Sequence, residues 1–182
     1  MSSPGILFGI PGRGETLAES FGGIPRGPKT VLTGLEWARD LEGLRFSAQV
    51  DLVTHEVRTR CWDEAAMVVA RSFGAWILVN ALLEMPEPHP GTVLCVSSVL
   101  GYGSTGGVNF IAPRALRFWR EAPRLARPPA REFSLLHASD DTQCPLAYAE
   151  KLHALWGGNL IVRSGGHSLG KGPGGGPGPQ AR

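Results

Sequence analysis

The chain has 182 residues, enough for one domain with a substantial core, and its 42% hydrophobic and 19% charged residues are ordinary for a globular protein. A net charge of +2 with no arginine–lysine stripe gives no footing for nucleic acid or a membrane surface. Nothing spans a bilayer, because no run of about 18 apolar residues occurs. The opening Met-Ser-Ser-Pro lacks the basic segment and apolar stretch of a secretory signal. Three cysteines (Cys61, Cys95 and Cys144), odd in number and in dissimilar contexts, indicate neither a disulfide framework nor a zinc cluster, and a cytoplasmic location is expected.

In chain order, residues 5–10 read as a short buried strand running into Pro11-Gly12-Arg13-Gly14, a loop whose glycines permit close approach to a ligand. Residues 15–33 are irregular apart from a short helix over 16–21, and 35–41 is helical in pattern. Residues 44–52 read as a strand ending in Asp51-Leu52, and a polar helical stretch over 55–66 follows. The apolar run 67–70 is a strand that stops at Arg71-Ser72-Phe73-Gly74, after which 76–85 carries a broad helical apolar face. Beyond a proline-rich turn, 92–97 is a valine-rich strand. Residues 101–107 hold too much glycine for regular structure, and an amphipathic stretch carries Leu116, Phe118 and Trp119. Residues 132–137 form a strand, 145–156 a helix and 159–163 a last strand; from 169 onward the Gly/Pro-rich tail is expected to be disordered. Strand and helix alternate about six times. That predicts an α/β, three-layer α/β/α sandwich with a mostly parallel sheet of about six strands, its chemistry at the carboxyl ends of the strands.

Three strand ends carry reactive types. Ser72 sits where a strand turns abruptly into a helix, which lifts a hydroxyl clear of the sheet, although a serine there also serves as a plain helix cap. The loop after His137 holds Asp140 and Asp141, and the loop after Arg163 holds Ser164-Gly165-Gly166-His167-Ser168. Histidine, with an ordinary pKa of about 6.5, can take a serine proton near neutral pH, and a carboxylate behind it fixes the tautomer.

In this order, serine then acid then histidine, the chain resembles a small α/β-hydrolase. Ala70-Arg71-Ser72-Phe73-Gly74 resembles the nucleophile elbow Gly-x-Ser-x-Gly, with Ala70 in place of the first glycine. His137 to Pro145 resembles the acid loop His-Gly-x-x-Asp-x-x-x-Pro; counting back from Pro145 selects Asp141, with Asp140 the alternative that caps the next helix instead. Gly165-Gly166-His167-Ser168-Leu169 matches the histidine loop. Pro11-Gly12-Arg13-Gly14 matches the oxyanion loop His-Gly-x-Gly, with Pro11 where histidine is usual, and Asp51-Leu52 sits where Asp-Leu-x-Gly often follows the next strand. The resemblance covers residues 5 to 168 and implies a single domain over 1–168 with no room for a large cap.

It implies a serine hydrolase acting on a small-molecule carboxylic ester or thioester, with Ser72 as nucleophile, His167 as general base and acid, and Asp141 orienting His167. The oxyanion hole would be the backbone N–H groups of Phe73 and Arg13. Amide cleavage, transfer of the acyl group to another acceptor, and a non-catalytic binding module on the same fold are the alternatives. A nucleotide loop at Gly12-Arg13-Gly14 lacks the third glycine, since Leu17 stands there. No metal or cofactor is expected, because the histidines lack paired ligand spacing. His137 is expected to support the acid loop, and His55, His89 and His153 to lie on the surface. Arg13 and Arg71 read either as a basic pocket mouth or as solvated side chains, and 102–110 as either a mobile lip or a plain connection.

Overall fold

Six strands hydrogen-bond side by side in the order β2-β1-β3-β4-β7-β8, and every pairing is parallel. They are β1 (Ile6–Ile10), β2 (Val31–Gly34), β3 (Met67–Arg71), β4 (His89–Val96), β7 (Ala130–Ala138) and β8 (Asn159–Arg163). A separate antiparallel hairpin is made by β5 (Tyr102–Thr105) and β6 (Val108–Ile111). The helices are α1 (Leu17–Phe21), α2 (Phe46–Arg60), α3 (Ser72–Glu84), α4 (Ala115–Glu121) and α5 (Leu146–Trp156), with a π-helical turn at Trp37–Leu41. These elements come from a computed structural model in which residues 5–24, 27–125 and 127–169 are described. Beyond Leu169, the tail expected to be disordered lies outside the described residues. No helix among those described is long and apolar enough to cross a membrane.

Side chains alternate across the strands, so β1, β3, β4 and β7 each feed two cores. On one face Phe8, Ile10, Val68, Ala70, Val93, Cys95, Phe133 and Leu135 pack with residues of α2, α3, α4 and α5. At the middle lies α3, buried from Phe73 through Leu82, with Trp76 edge-on to Phe118 at 4.8 Å. Each large apolar side chain buried there contributes about 1.5–3 kcal/mol. The other face is thinner. Leu7, Val69 and Val96 gather with Phe21 of α1, while Met67, Leu94 and Leu136 are only partly buried. The two helical layers of the expected sandwich are therefore unequal.

Three expectations need correction. Residues 44–52 are not a strand: Phe46 onward is helix α2, and Val50, Val53 and Val57 point into the core at helical spacing. Asp51-Leu52 thus lies mid-helix, not past a strand end. The missing strand is β2, in the stretch expected to be irregular, where four residues pair with β1. The glycine-rich 101–107 stretch does form regular structure. Gly106 and Gly107, at φ 58 and 79, make the tight turn that lets β5 and β6 pair.

Candidate active site

The elbow forms where β3 ends at Arg71 and α3 begins at the very next residue. Ser72 begins α3 with φ 49, a left-handed angle that is strained for any residue with a side chain. Two contacts hold it there. The Ser72 carbonyl accepts the Val99 N–H at 3.1 Å, and α3 presses Gly74 against the end of β1. A β-carbon on Gly74 would stand 2.2 Å from the Pro11 carbonyl oxygen, so only glycine fits. Ala70 in the first elbow position is fully buried and in register with Ile10 and Cys95.

His167 stands between Ser72 and Asp141. Its Nε2 lies 3.0 Å from Ser72 Oγ and its Nδ1 2.9 Å from Asp141 Oδ2. Asp141 Oδ1 accepts the N–H groups of Gln143 and Cys144 at 2.8 and 2.9 Å. Burial pushes the Asp141 carboxyl up, but the hydrogen bond from His167 and the Cys144 and Gln143 N–H groups outweigh it and leave the pKa below the ordinary value. An ionised carboxylate only accepts, so Nδ1 carries the imidazole proton and Nε2 is free to accept from the Ser72 hydroxyl.

Asp140 faces the other way. Its Oδ1 accepts the Gly165 and Gly166 N–H groups at 3.0 and 2.9 Å, which lowers its pKa and fastens the histidine loop; it does not cap the next helix. His137 Nε2 meets the Cys144 carbonyl at 2.7 Å, bracing the acid loop as expected. Two residues read as surface groups are buried. His89 donates from Nε2 to the Cys61 carbonyl at 2.9 Å and accepts the Gly91 N–H at Nδ1, and burial holds its pKa down against those bonds. Arg71 is buried beneath the elbow beside Glu15, so neither surface reading of it holds.

A cleft of about 580 Å³ opens over Ser72 and His167. Phe73, Val99, Val108 and Phe110 form its apolar wall, and Arg13, Glu15 and Gln143 its polar side. The hairpin is a built wall: the Ser104 N–H donates to the Gln143 carbonyl at 2.8 Å, and Tyr102 stacks on Tyr148 at 4.8 Å. Arg13 is exposed at the rim, its guanidinium 4.1 Å from the centre of the Phe73 ring. It sits in a turn closed by the Glu15 N–H on the Gly12 carbonyl at 3.0 Å, in which Gly14 takes φ 74. The Phe73 N–H belongs to the first turn of α3, where such groups lack intrahelical acceptors.

Asp141, Cys144 and His167 bring ligand-type atoms within 4.8 Å of one another. The trio suits a metal poorly. Burial and the nearby Asp141 push the Cys144 thiol up, so it stays protonated, while the other two groups are bonded to each other.

No protein-family model and no curated protein sequence matches the chain. Solved structures do. A Xanthomonas campestris pv. campestris hydrolase of the α/β superfamily aligns with a TM-score of 0.55 at 15% identity, over 91% of this chain and 90% of that one. The B. subtilis ydeN gene product aligns at 0.62 and 15%, over 90% and 88%. The chain has the α/β-hydrolase fold. A type II thioesterase, YbtT of the yersiniabactin biosynthetic pathway, shares that fold at a TM-score of 0.64 and 15% identity, over 91% and 86%.

Within this α/β-hydrolase fold, sequence reasoning missed Arg71, Glu15 and the supporting role of Asp140. Arg71 carried a usable signal. It follows the buried Val69 by two residues, so strand alternation aims it at the same packed face. Asp140 and Glu15 carried none, since the Gly165 and Gly166 N–H groups and Arg71 are brought to them from far along the chain by tertiary structure.

Proposed function

We propose that this protein is a serine hydrolase that cleaves a carboxylic ester or thioester through an acyl-enzyme on Ser72. One observation carries the reading: Ser72 Oγ, His167 and Asp141 form an unbroken hydrogen-bonded line, at 3.0 and 2.9 Å, at the open mouth of a partly apolar cleft. Ser72 Oγ attacks the acyl carbon as its proton passes to His167 Nε2, and Asp141 stabilises the imidazolium that results. The oxygen of the tetrahedral intermediate settles against the N–H groups of Phe73 and Arg13, each such donor being worth about 3 kcal/mol. Collapse expels the alcohol or thiol, which takes the proton from His167. A water molecule, deprotonated by the same imidazole, then releases the acid and restores Ser72. The apolar wall of Phe73, Val99, Val108 and Phe110 favours an uncharged acyl group, and the thioesterase among the fold neighbours supports extending the class to thioesters.

A fluorophosphonate probe tests the nucleophile. The protein is expected to form one covalent adduct, and Ser72→Ala none; an unlabelled wild type overturns the reading, and an adduct on the alanine variant moves the nucleophile elsewhere. Asp141→Asn, which favours the wrong imidazole tautomer, is expected to lower kcat on p-nitrophenyl esters on the order of 10⁴-fold with the fold intact.

A further inference from the structure

The histidine loop has little of its own to hold it in place. It follows β8, an edge strand with Ile161 and Val162 exposed, and its short 3-10 turn Gly166–Ser168 buries no residue. Gly165 and Gly166 take φ 141 and 58, angles that widen the choice of paths open to the backbone. An imidazole that must stay 3.0 Å from Ser72 Oγ on such a loop needs anchors from elsewhere. Asp140 supplies one, from outside, on the N–H groups that precede His167.

The other comes from below. Arg71 ends β3, one residue before Ser72, and its side chain is completely buried. Burial lowers its pKa, opposed by Glu15 and then Asp141, and a guanidinium remains charged under such a shift. A buried cation without compensation is strongly destabilising, so its contacts have to be good ones. Its Nε lies 3.3 Å from Glu15 Oε2, and its two terminal nitrogens donate to the backbone carbonyls of His167 and Leu169. Glu15 Oε2 in turn accepts the Ser20 hydroxyl at 2.6 Å, and Ser20 Oγ accepts the Gly12 N–H at 3.3 Å. One planar fork thus joins the loop after β1, the elbow and the histidine loop. A lysine ammonium, a single point charge, cannot reach all three in the same geometry.

We infer that Arg71 is a positioning residue, whose guanidinium fixes the backbone at His167 and so sets the imidazole against Ser72. It touches no reacting atom. Its effect on rate rests on the serine-hydrolase reading, but its effect on the imidazole does not.

The test compares wild type, Arg71→Met and Arg71→Lys by two readouts. The first is the downfield proton NMR signal of the His167 Nδ1–H bonded to Asp141. The second is the rate of Ser72 labelling by a fluorophosphonate. R71M, shown to be folded by circular dichroism, is expected to lose the signal and to label on the order of 10²-fold more slowly, the cost of a displacement of about 1 Å. R71K is expected to recover part of both, with the signal broadened. An R71M protein with the wild-type signal and rate overturns the inference, and so does a wild type without the signal. Should R71M fail to fold, R71K decides, because wild-type behaviour in both readouts there also overturns it. A signal present in wild type and lost in R71M, with no labelling of either, keeps Arg71 as the anchor and discards the nucleophile instead.

Discussion

A single left-handed backbone angle at Ser72 puts the hydroxyl above the sheet, and its neighbours make that angle obligatory. Gly74→Ala should therefore give insoluble or unfolded protein, because the added carbon meets the Pro11 carbonyl, a backbone atom that cannot move aside. Expression and a thermal melt check this. Two buried titrating residues set separate acid limits on stability. His89 is held neutral with its pKa lowered, so its contribution is whole above the unfolded value of about 6.5 and is lost as pH falls below it toward the folded value. Asp141 also has a lowered pKa, so its contribution is lost only below the ordinary carboxylate value of about 3.9. Melting temperature between pH 7 and 5 should drop in wild type and flatten in His89→Gln, while Asp141→Asn should flatten only the decline below pH 4. At this scale the sequence was legible where a reactive residue type stands within four positions of a strand's end, as Ser72, Asp141 and His167 do. It was illegible where a polar side chain finds its partner far along the chain, as His89 does 28 residues away and Arg71 does 96 residues away.

Among the elements, those with a clean apolar period were read correctly, and two were lost to local ambiguity. Residues 44–52 place Val50 and Leu52 two apart, as a strand would. The burial that decides the matter, at Val50, Val53 and Val57, extends past that window. The hairpin was hidden because its glycines were counted against regular structure. Their positive φ angles at the turn, and the closeness of Gly103 to Phe110 and to the Gln143 carbonyl, are what a tight hairpin against the acid loop requires. A side chain at Gly103 would strike the Phe110 ring at 2.6 Å. Gly103→Val should lift the hairpin and open the apolar wall of the cleft. KM should rise for p-nitrophenyl esters of longer acyl chains and change little for the acetate, as a chain-length series would show.

For the whole molecule, strand–helix alternation was enough to reach a six-stranded parallel α/β sheet, but not its unequal layers. Those depend on which face each helix covers, and that is a tertiary property. The thick side should resist opening longest. In hydrogen exchange, amides of β3, β4 and α3 are expected to be the most protected and those of β8 to exchange early; β8 protected as strongly as β3 would contradict this. The turn at Gly106 and Gly107 has a further consequence. Both glycines are exposed, and they divide the chain so that Glu15, Arg71 and Ser72 fall in the first piece and Asp141 and His167 in the second. Ser72 and His167 are 95 residues apart, so neither piece contains the whole Ser72–His167–Asp141 line on which the proposed reaction depends. Two fragments cut at that turn would each be silent. Turnover on mixing them would count reassembled molecules one by one, making the protein a complementation reporter of its own folding.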